Sequence, residues 1–373
     1  VHHGKHRQRP RHAAPHHSGH HPHANANNNH HHTNNANTYP GVQSSHAHFP
    51  DFDPATAPLI KPFDQLTTID PQPRLTLEYP GCPDSCRLID LFCPIGRGQR
   101  ALIVSPPKAG KTTLLKDISA SIYRNHPDVT LIALLVDERP EEVTDFRRTF
   151  AAFGPLTTPQ PLPDDLAPAP STAPHRAHVL ASSNDHGVER HIAVASDTMK
   201  LAKRMVEAGR HVVVVLDSLT RLARAFNNSR KHANSGRTLS GGLDSRAMEV
   251  PRQIFGSARN SEEAGSLTII ASCLVDTGSL MDQVIFEEFK GSGNMELVLD
   301  RKISEKRLYP AINLSASGTR KENLLMPEAE LKTVTALRRR LLSMPPHVQI
   351  EQLLGAMKRF ATNAQLVGTA SAQ

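Results

Sequence analysis

The sequence predicts an α/β fold, a mainly parallel sheet flanked by helices and preceded by a disordered arm. Three observations carry that prediction. Continuous apolar runs recur at residues 129–136, 212–216 and 267–271, the signature of strands covered on both faces. Helix-patterned segments lie between them, such as residues 189–208, closed by Gly209. Finally, Ser105-Pro106-Pro107-Lys108-Ala109-Gly110-Lys111-Thr112 joins an apolar run at 101–104 to a helix-like stretch at 113–118. Strand, tight loop, helix is the order a nucleotide phosphate requires. Backbone N–H groups of the loop and helix start would face the phosphates, Lys111 would reach the β and γ oxygens, and Thr112 would offer its hydroxyl to Mg²⁺. Ser105 stands where such loops usually begin with glycine.

Of the 373 residues, the first fifty add nothing to a core, being His, Asn, Ala and Pro with almost no aliphatic side chains. Burial there cannot offset the entropy of ordering, so residues 1–50 read as a disordered arm. Loose metal binding by its imidazoles is the functional alternative. A start at Val rather than Met fits a fragment or a processed chain. Residues 51–85 are Pro-rich and read as a connector, 86–345 as the α/β domain, and 346–373 as a helical tail. Residues 153–174, rich in Pro, Ala, Thr and Ser, read as a surface insertion within the domain. From Glu328 the pattern is helical, and Arg338-Arg339-Arg340 reads as a solvated face, with RNA contact the alternative.

The net charge of +7 suits an anionic partner. No apolar stretch approaches the ~18 residues of a membrane span, and no apolar secretory segment opens the chain, so a cytoplasmic location without membrane contact is expected. Cys82 and Cys86 have the spacing of half a zinc site, but no second pair follows, and Cys93 and Cys273 read as small apolar residues.

Two acidic positions sit at strand ends. Asp217 follows the run at 212–216, where a carboxylate would meet Mg²⁺, and it could also cap the helix starting at Leu219. Glu138 follows the run at 129–136. Phosphoanhydride hydrolysis needs a carboxylate to orient water, and Glu138 has the right type and place; a helix-cap role is the other reading. Glu141 and Glu142, after Pro140, suit the first turn of a helix.

These segments, with residues 94–100, 137–144, 216–225, 286–297, 305–312 and 317–322, resemble the transcription termination factor Rho family, ring-shaped ATP-dependent RNA helicases of bacteria. The similarity spans about residues 63 to 360. It implies a RecA-like P-loop NTPase, ATP with Mg²⁺ as cofactors, a homohexamer, and single-stranded RNA and the RNA polymerase elongation complex as partners. By the same resemblance, Lys108, Ala109, Gly110, Lys111, Thr112 and Thr113 form the phosphate loop, and Arg139, Asp217 and Arg221 line the ATP site. Lys111 is catalytic as well, Thr112 and Asp217 hold Mg²⁺ through ATP, and Glu138 activates water. Arg320 is an arginine finger supplied to the neighbouring subunit, with Arg307 as companion. Tyr309 stacks on adenine, where the family more often has Phe.

The resemblance also implies two RNA loops, 234–242 with Arg237 and Thr238, and Lys290-Gly291-Ser292-Gly293; their bland reading is flexible surface loops. Members of the family carry an OB-fold upstream that grips RNA, which needs short strands and aromatic platforms. Residues 1–60 contain neither. The expected function is thus an ATP-driven RNA translocase that terminates transcription, with an RNA-binding regulatory relative lacking RNA-stimulated ATPase as the alternative. A rotary-ATPase or recombinase subunit would share the core but not the Pro-Pro-Lys loop or the 305–312 segment.

Overall fold

The computed structural model describes residues 52–153 and 176–368. The expected arm at 1–50 and all but the first residue of the expected insertion lie outside them. In chain order, β1 (Thr68–Ile69) and α1 (Asp84–Phe92) precede β2 (Arg100–Ser105), α2 (Lys111–Asn125), β3 (Val129–Glu138), α3 (Pro140–Ala151) and β4 (Ala177–Ser183). Then come α4 (Val188–Glu207), β5 (His211–Asp217) and α5 (Leu219–Asn228), followed by a small hairpin of β6 (Thr238–Leu239) and β7 (Leu243–Asp244). The rest is α6 (Glu249–Gly256), β8 (Arg259–Ser261), β9 (Ser266–Leu274), α7 (Leu280–Lys290), β10 (Met295–Val298), α8 (Arg301–Glu305), β11 (Gly318–Thr319), α9 (Glu328–Leu341), α10 (Pro346–Met357) and α11 (Asn363–Leu366).

The main sheet runs β11-β10-β2-β9-β5-β3-β4, with β8 and β1 appended beside β9. Every pairing from β10 to β4 is parallel; β11, β8 and β1 join antiparallel. The three apolar runs become its central strands, β3, β5 and β9, because alternate side chains feed two cores. Leu131, Ala133 and Leu135 pack under α2 and α3, while Ile132, Leu134 and Val136 pack under α4 and α5. Two parallel strands left no such run. β4 is an edge strand, half-buried over most of its length, and β10 alternates buried and half-buried residues.

The connector is irregular yet packed down. Leu75 and Leu77 are fully buried, and Phe63 and Leu66 join the core on the α4 face. Arg74 donates to the Asp90 carbonyl and to Glu330 at 2.9 Å each, tying connector, α1 and α9 together. The tail likewise closes the core, since Ile350, Leu353 and Met357 join the α1–α2 cluster. Arg87 donates to the Met357 carbonyl and the Asn363 side chain, both at 3.2 Å. Arg338 departs from the solvated-face expectation: it donates to the carbonyls of Leu314, Ser317 and Phe92 and lies over the Phe92 ring, clamping α9 to the sheet edge. Arg339 and Arg340 are exposed.

Gly98 turns the chain into β2 at φ +86°, and a Cβ there would lie 2.2 Å from the backbone nitrogen of Asn260. Backbone cannot retreat as a side-chain tip can. Gly98→Ala therefore adds left-handed strain to a collision and should destabilise the domain by about 3 kcal/mol, read as a lower denaturant midpoint.

Candidate nucleotide site and surrounding loops

The parallel strands aim their carboxyl ends at one edge, where ligands of such sheets bind. β2 delivers the loop at 105–112 there. Gly110 takes φ +91° as N-cap of α2, leaving the loop amides and the helix start open to an anion. Lys111 Nζ lies against both carboxylate oxygens of Asp217 and 3.8 Å from Glu138 Oε2. Asp217 is fully buried at the tip of β5 and also accepts from Ser272 Oγ at 2.8 Å. It does not cap α5: Ser218 is the N-cap, accepting from the Arg221 amide.

Glu138 reaches this site through a defect in its strand. In the β3–β4 pairing Val136 stands opposite Ser182, yet Glu138 stands opposite Ser183. Asp137, at φ +55°, is the extra residue. A bulge shifts the two-residue alternation by one, so Glu138 leaves the face of Val136 and joins that of Leu135, beneath α2. Asp217 gets there by plain alternation from Val213 and Val215. Arg221 steadies the bulge, donating through Nη1 to the Asp137 carbonyl and through Nη2 to Glu138 Oε1 at 3.1 Å. Glu138 also accepts from the Arg139 amide at 3.1 Å, but Arg139, not Glu138, holds the N-cap position of α3. Burial, then the neighbouring Asp217 charge, raises the Glu138 pKa above the usual glutamate value, with Lys111 and Arg221 opposing.

Beside the loop opens a cleft of about 540 Å³, lined by Lys108, Gly110, Thr113, Asp117 and Tyr309 among others. Tyr309 is 44 % exposed, its ring edge beside Gly110. That apolar wall with a few polar groups suits a planar base next to its phosphates. Thr112 Oγ1 donates to Glu142 Oε2 at 3.3 Å, and Glu141 and Glu142 occupy the first turn of α3 behind Pro140. Lys108, Arg139, Arg307 and Arg320 are exposed.

The structure separates some residues that the sequence grouped. The Arg320 amide donates to the Asn294 carbonyl, and the Asn294 amide to the Arg100 carbonyl, which places Arg320 at the amino end of β2. The phosphate loop leaves the other end, roughly 17 Å away along a six-residue strand. Lys290–Gly293 sits at that amino edge too, with the Ser292 carbonyl accepting from Arg100 Nε at 2.9 Å. It is thus apart from the 234–242 hairpin, because α7 runs back across the sheet between them. The segment that does meet the hairpin is the turn from β9 into α7. Gly241, at φ +77°, packs so closely on Leu280 and Met281 that a Cβ would lie 2.5 Å from the Met281 amide nitrogen. That turn holds Asp276 and Gly278 at positive φ and leaves Leu280 62 % exposed. Its Thr277-Gly278-Ser279 run was a turn signal that sequence reading passed over.

The four cysteines are free, and burial pushes the Cys86, Cys93 and Cys273 thiols up to about 12. Among the described residues, no helix is long and apolar enough to cross a membrane.

Fold and phosphate loop together define a nucleotide-binding domain of RecA-like type, and the ATP synthase alpha/beta family nucleotide-binding domain matches residues 85–319. A solved ATPase from the type III secretion system of pathogenic bacteria shares the fold at a TM-score of 0.62 and 18 % identity, covering 83 % of this chain and 87 % of that one. The chain belongs to the transcription termination factor Rho family. It is 50 % identical over 321 residues to the Rho of Borreliella burgdorferi, covering 86 % of this chain and 57 % of that protein. Against the Rho of Aquifex aeolicus it is 48 % identical, over 82 % of this chain and 64 % of the relative. Against that of Cereibacter sphaeroides it is 47 % identical, over 84 % and 68 %. The chain therefore spans little more than half the length of the first of these relatives.

Proposed function

We propose that this chain is the motor part of an ATP-hydrolysing RNA translocase that terminates transcription, working as a hexameric ring in the cytoplasm. Residues 86–345 are the motor and 346–373 its C-terminal tail, whose described residues, 346–368, are largely helical and pack on it. The observation that carries the reading is the placement of the proposed catalytic residues at two opposite ends of the sheet. Lys111, Glu138 and Asp217 converge at the carboxyl edge, while Arg320 stands about 17 Å off at the amino edge, so the finger serves a neighbouring subunit's nucleotide.

ATP enters with its base against Tyr309 and Thr113 and its phosphates on the amides of Lys108, Ala109, Gly110 and the α2 start. Lys111 moves from Asp217 onto the β and γ oxygens. Oxygen donors suit Mg²⁺, and Thr112 and Asp217 supply them; Asp217 and Glu138 already gather around one cation, the Lys111 ammonium. When bound, Mg²⁺ supplies charge neutralisation at the phosphates. Glu138 accepts a hydrogen bond from the attacking water and orients it, Arg221 keeping the carboxylate aimed. Arg320 of the adjacent subunit, with Arg307 as a second cation, offsets charge growing on the γ-phosphoryl oxygens. Arg139 closes the rim.

RNA would thread past the 234–242 hairpin, where Arg237 and Thr238 are exposed, and past the adjoining 276–280 turn, which takes the place expected of Lys290-Gly291-Ser292-Gly293. RNA polymerase is the complex acted upon. ATP turnover with and without poly(C) RNA, at low and moderate salt, tests this function. RNA-stimulated hydrolysis is expected; ATP binding with no stimulation at either salt would instead favour the regulatory relative.

A further inference from the structure

His191 is buried, titratable and unused by the mechanism above. It sits in the first turn of α4, on the side of the sheet opposite α2, and its Nε2 lies 3.7 Å from Asp137 Oδ1. Only 5 % of His191 is exposed, so its place beside Asp137 is fixed by packing. Burial holds its pKa below the ordinary histidine value, against the opposing pull of Asp137. The other ionisable neighbours are Asp185 and His186, in the turn after β4.

The bulge sends adjacent residues to opposite faces: Asp137 to the α4 side, against His191, and Glu138 to the α2 side, against Lys111. Without the extra residue the two would exchange faces, leaving an aspartate near the phosphate loop and the glutamate beneath α4. Asp137 at φ +55° is a conformation that a non-glycine residue holds only when its surroundings insist. Arg221 donates to the Asp137 carbonyl and lies 4.0 Å from Asp137 Oδ2, but the same guanidinium also holds Glu138 Oε1, so it serves both faces. His191 meets Asp137 from the α4 face alone.

We propose that His191 is a positioning residue, the register lock that holds Asp137 on the α4 face and thereby keeps Glu138 in the nucleotide site. This rests on the reading of Glu138 given under the proposed function. The lock acts on geometry, so its loss should slow turnover without weakening nucleotide binding.

The test is steady-state ATPase of the full chain with poly(C), with Kd for a fluorescent ATP analogue measured alongside. His191→Leu should lower kcat roughly 10- to 100-fold, as expected for misplacing a reacting group by about an ångström. KM and Kd for nucleotide should stay within about 2-fold. His191→Gln, which restores a polar N–H group of similar reach beside Asp137, should recover most of the loss; a purely packing role would leave it as impaired as the Leu variant. Because His191 acts only through Glu138, adding His191→Leu to Glu138→Gln should cost nothing further. Wild-type kcat in His191→Leu, or full additivity in the double variant, overturns the lock while leaving Glu138 its role. Wild-type turnover in Glu138→Gln removes both. If the Leu variant does not fold, Asp137→Gly decides, since glycine accepts the same φ but gives His191 nothing to hold. It should reproduce the kcat loss, and unchanged kcat there overturns the proposal.

Discussion

Glu138→Gln should bind ATP as tightly as the parent chain and hydrolyse it about 10²- to 10⁴-fold more slowly. The amide fills the same space and can keep one hydrogen bond to Arg221, so the loop, Lys111 and the base cleft are undisturbed. What disappears is a charged acceptor for the attacking water. The pH profile gives a second readout. The Glu138 pKa is raised by burial and by Asp217, so its carboxylate is lost to protonation at a higher pH than an ordinary glutamate's. The sign follows directly: turnover falls as pH drops through that raised pKa, and the acid limb lies above the usual glutamate range. In Glu138→Gln this limb should vanish from the residual rate. Single-turnover hydrolysis together with nucleotide affinity checks both halves, and equal turnover in the two proteins would take Glu138 out of the mechanism.

Arg320→Ala should cost about 10³-fold or more in RNA-stimulated turnover, the usual range for an arginine finger. The loss should be repairable by mixing. Arg320 and Lys111 lie at opposite ends of one strand, so a ring of Arg320→Ala and Lys111→Ala subunits contains some interfaces with both groups intact. Each single variant should be nearly inactive and the mixture should regain a measurable fraction of activity. A mixture as inactive as its parts would argue against sharing across the interface. The fold itself should be indifferent, because Arg320 is exposed and its side chain enters no hydrogen bond or ion pair among the described residues. An unchanged melting temperature would confirm that the loss is catalytic.

Central strands were the easiest part to read. β3, β5 and β9 are covered on both faces, and double burial writes itself into sequence as an unbroken apolar run. The phosphate loop was legible for a related reason: its contacts are local, made by consecutive residues between a strand and a helix. The edge strand β4 and the short β10 were harder, since partial burial leaves mixed residues with no distinct period. The docked connector and tail were hidden too. Proline-rich irregular chain looks like a linker until Leu75 and Leu77 are seen inside the core, and nothing local to the helical tail tells that Leu353 joins them.

The sequence alone determined the fold class, the position of the nucleotide loop and the acidic strand ends, because each depends on neighbours in the chain. Only the tertiary structure decided which of the two adjacent carboxylates, Asp137 or Glu138, stands beside Lys111. One extra residue at Asp137 reverses side-chain parity, and a bulge has no composition of its own. Tertiary structure also decided that Arg320 and the 290–293 segment stand at the far edge from Lys111, and that the 276–280 turn meets the 234–242 hairpin. Those placements follow from how crossover helices return each strand to the sheet, a matter of three-dimensional packing that no local window of residues encodes.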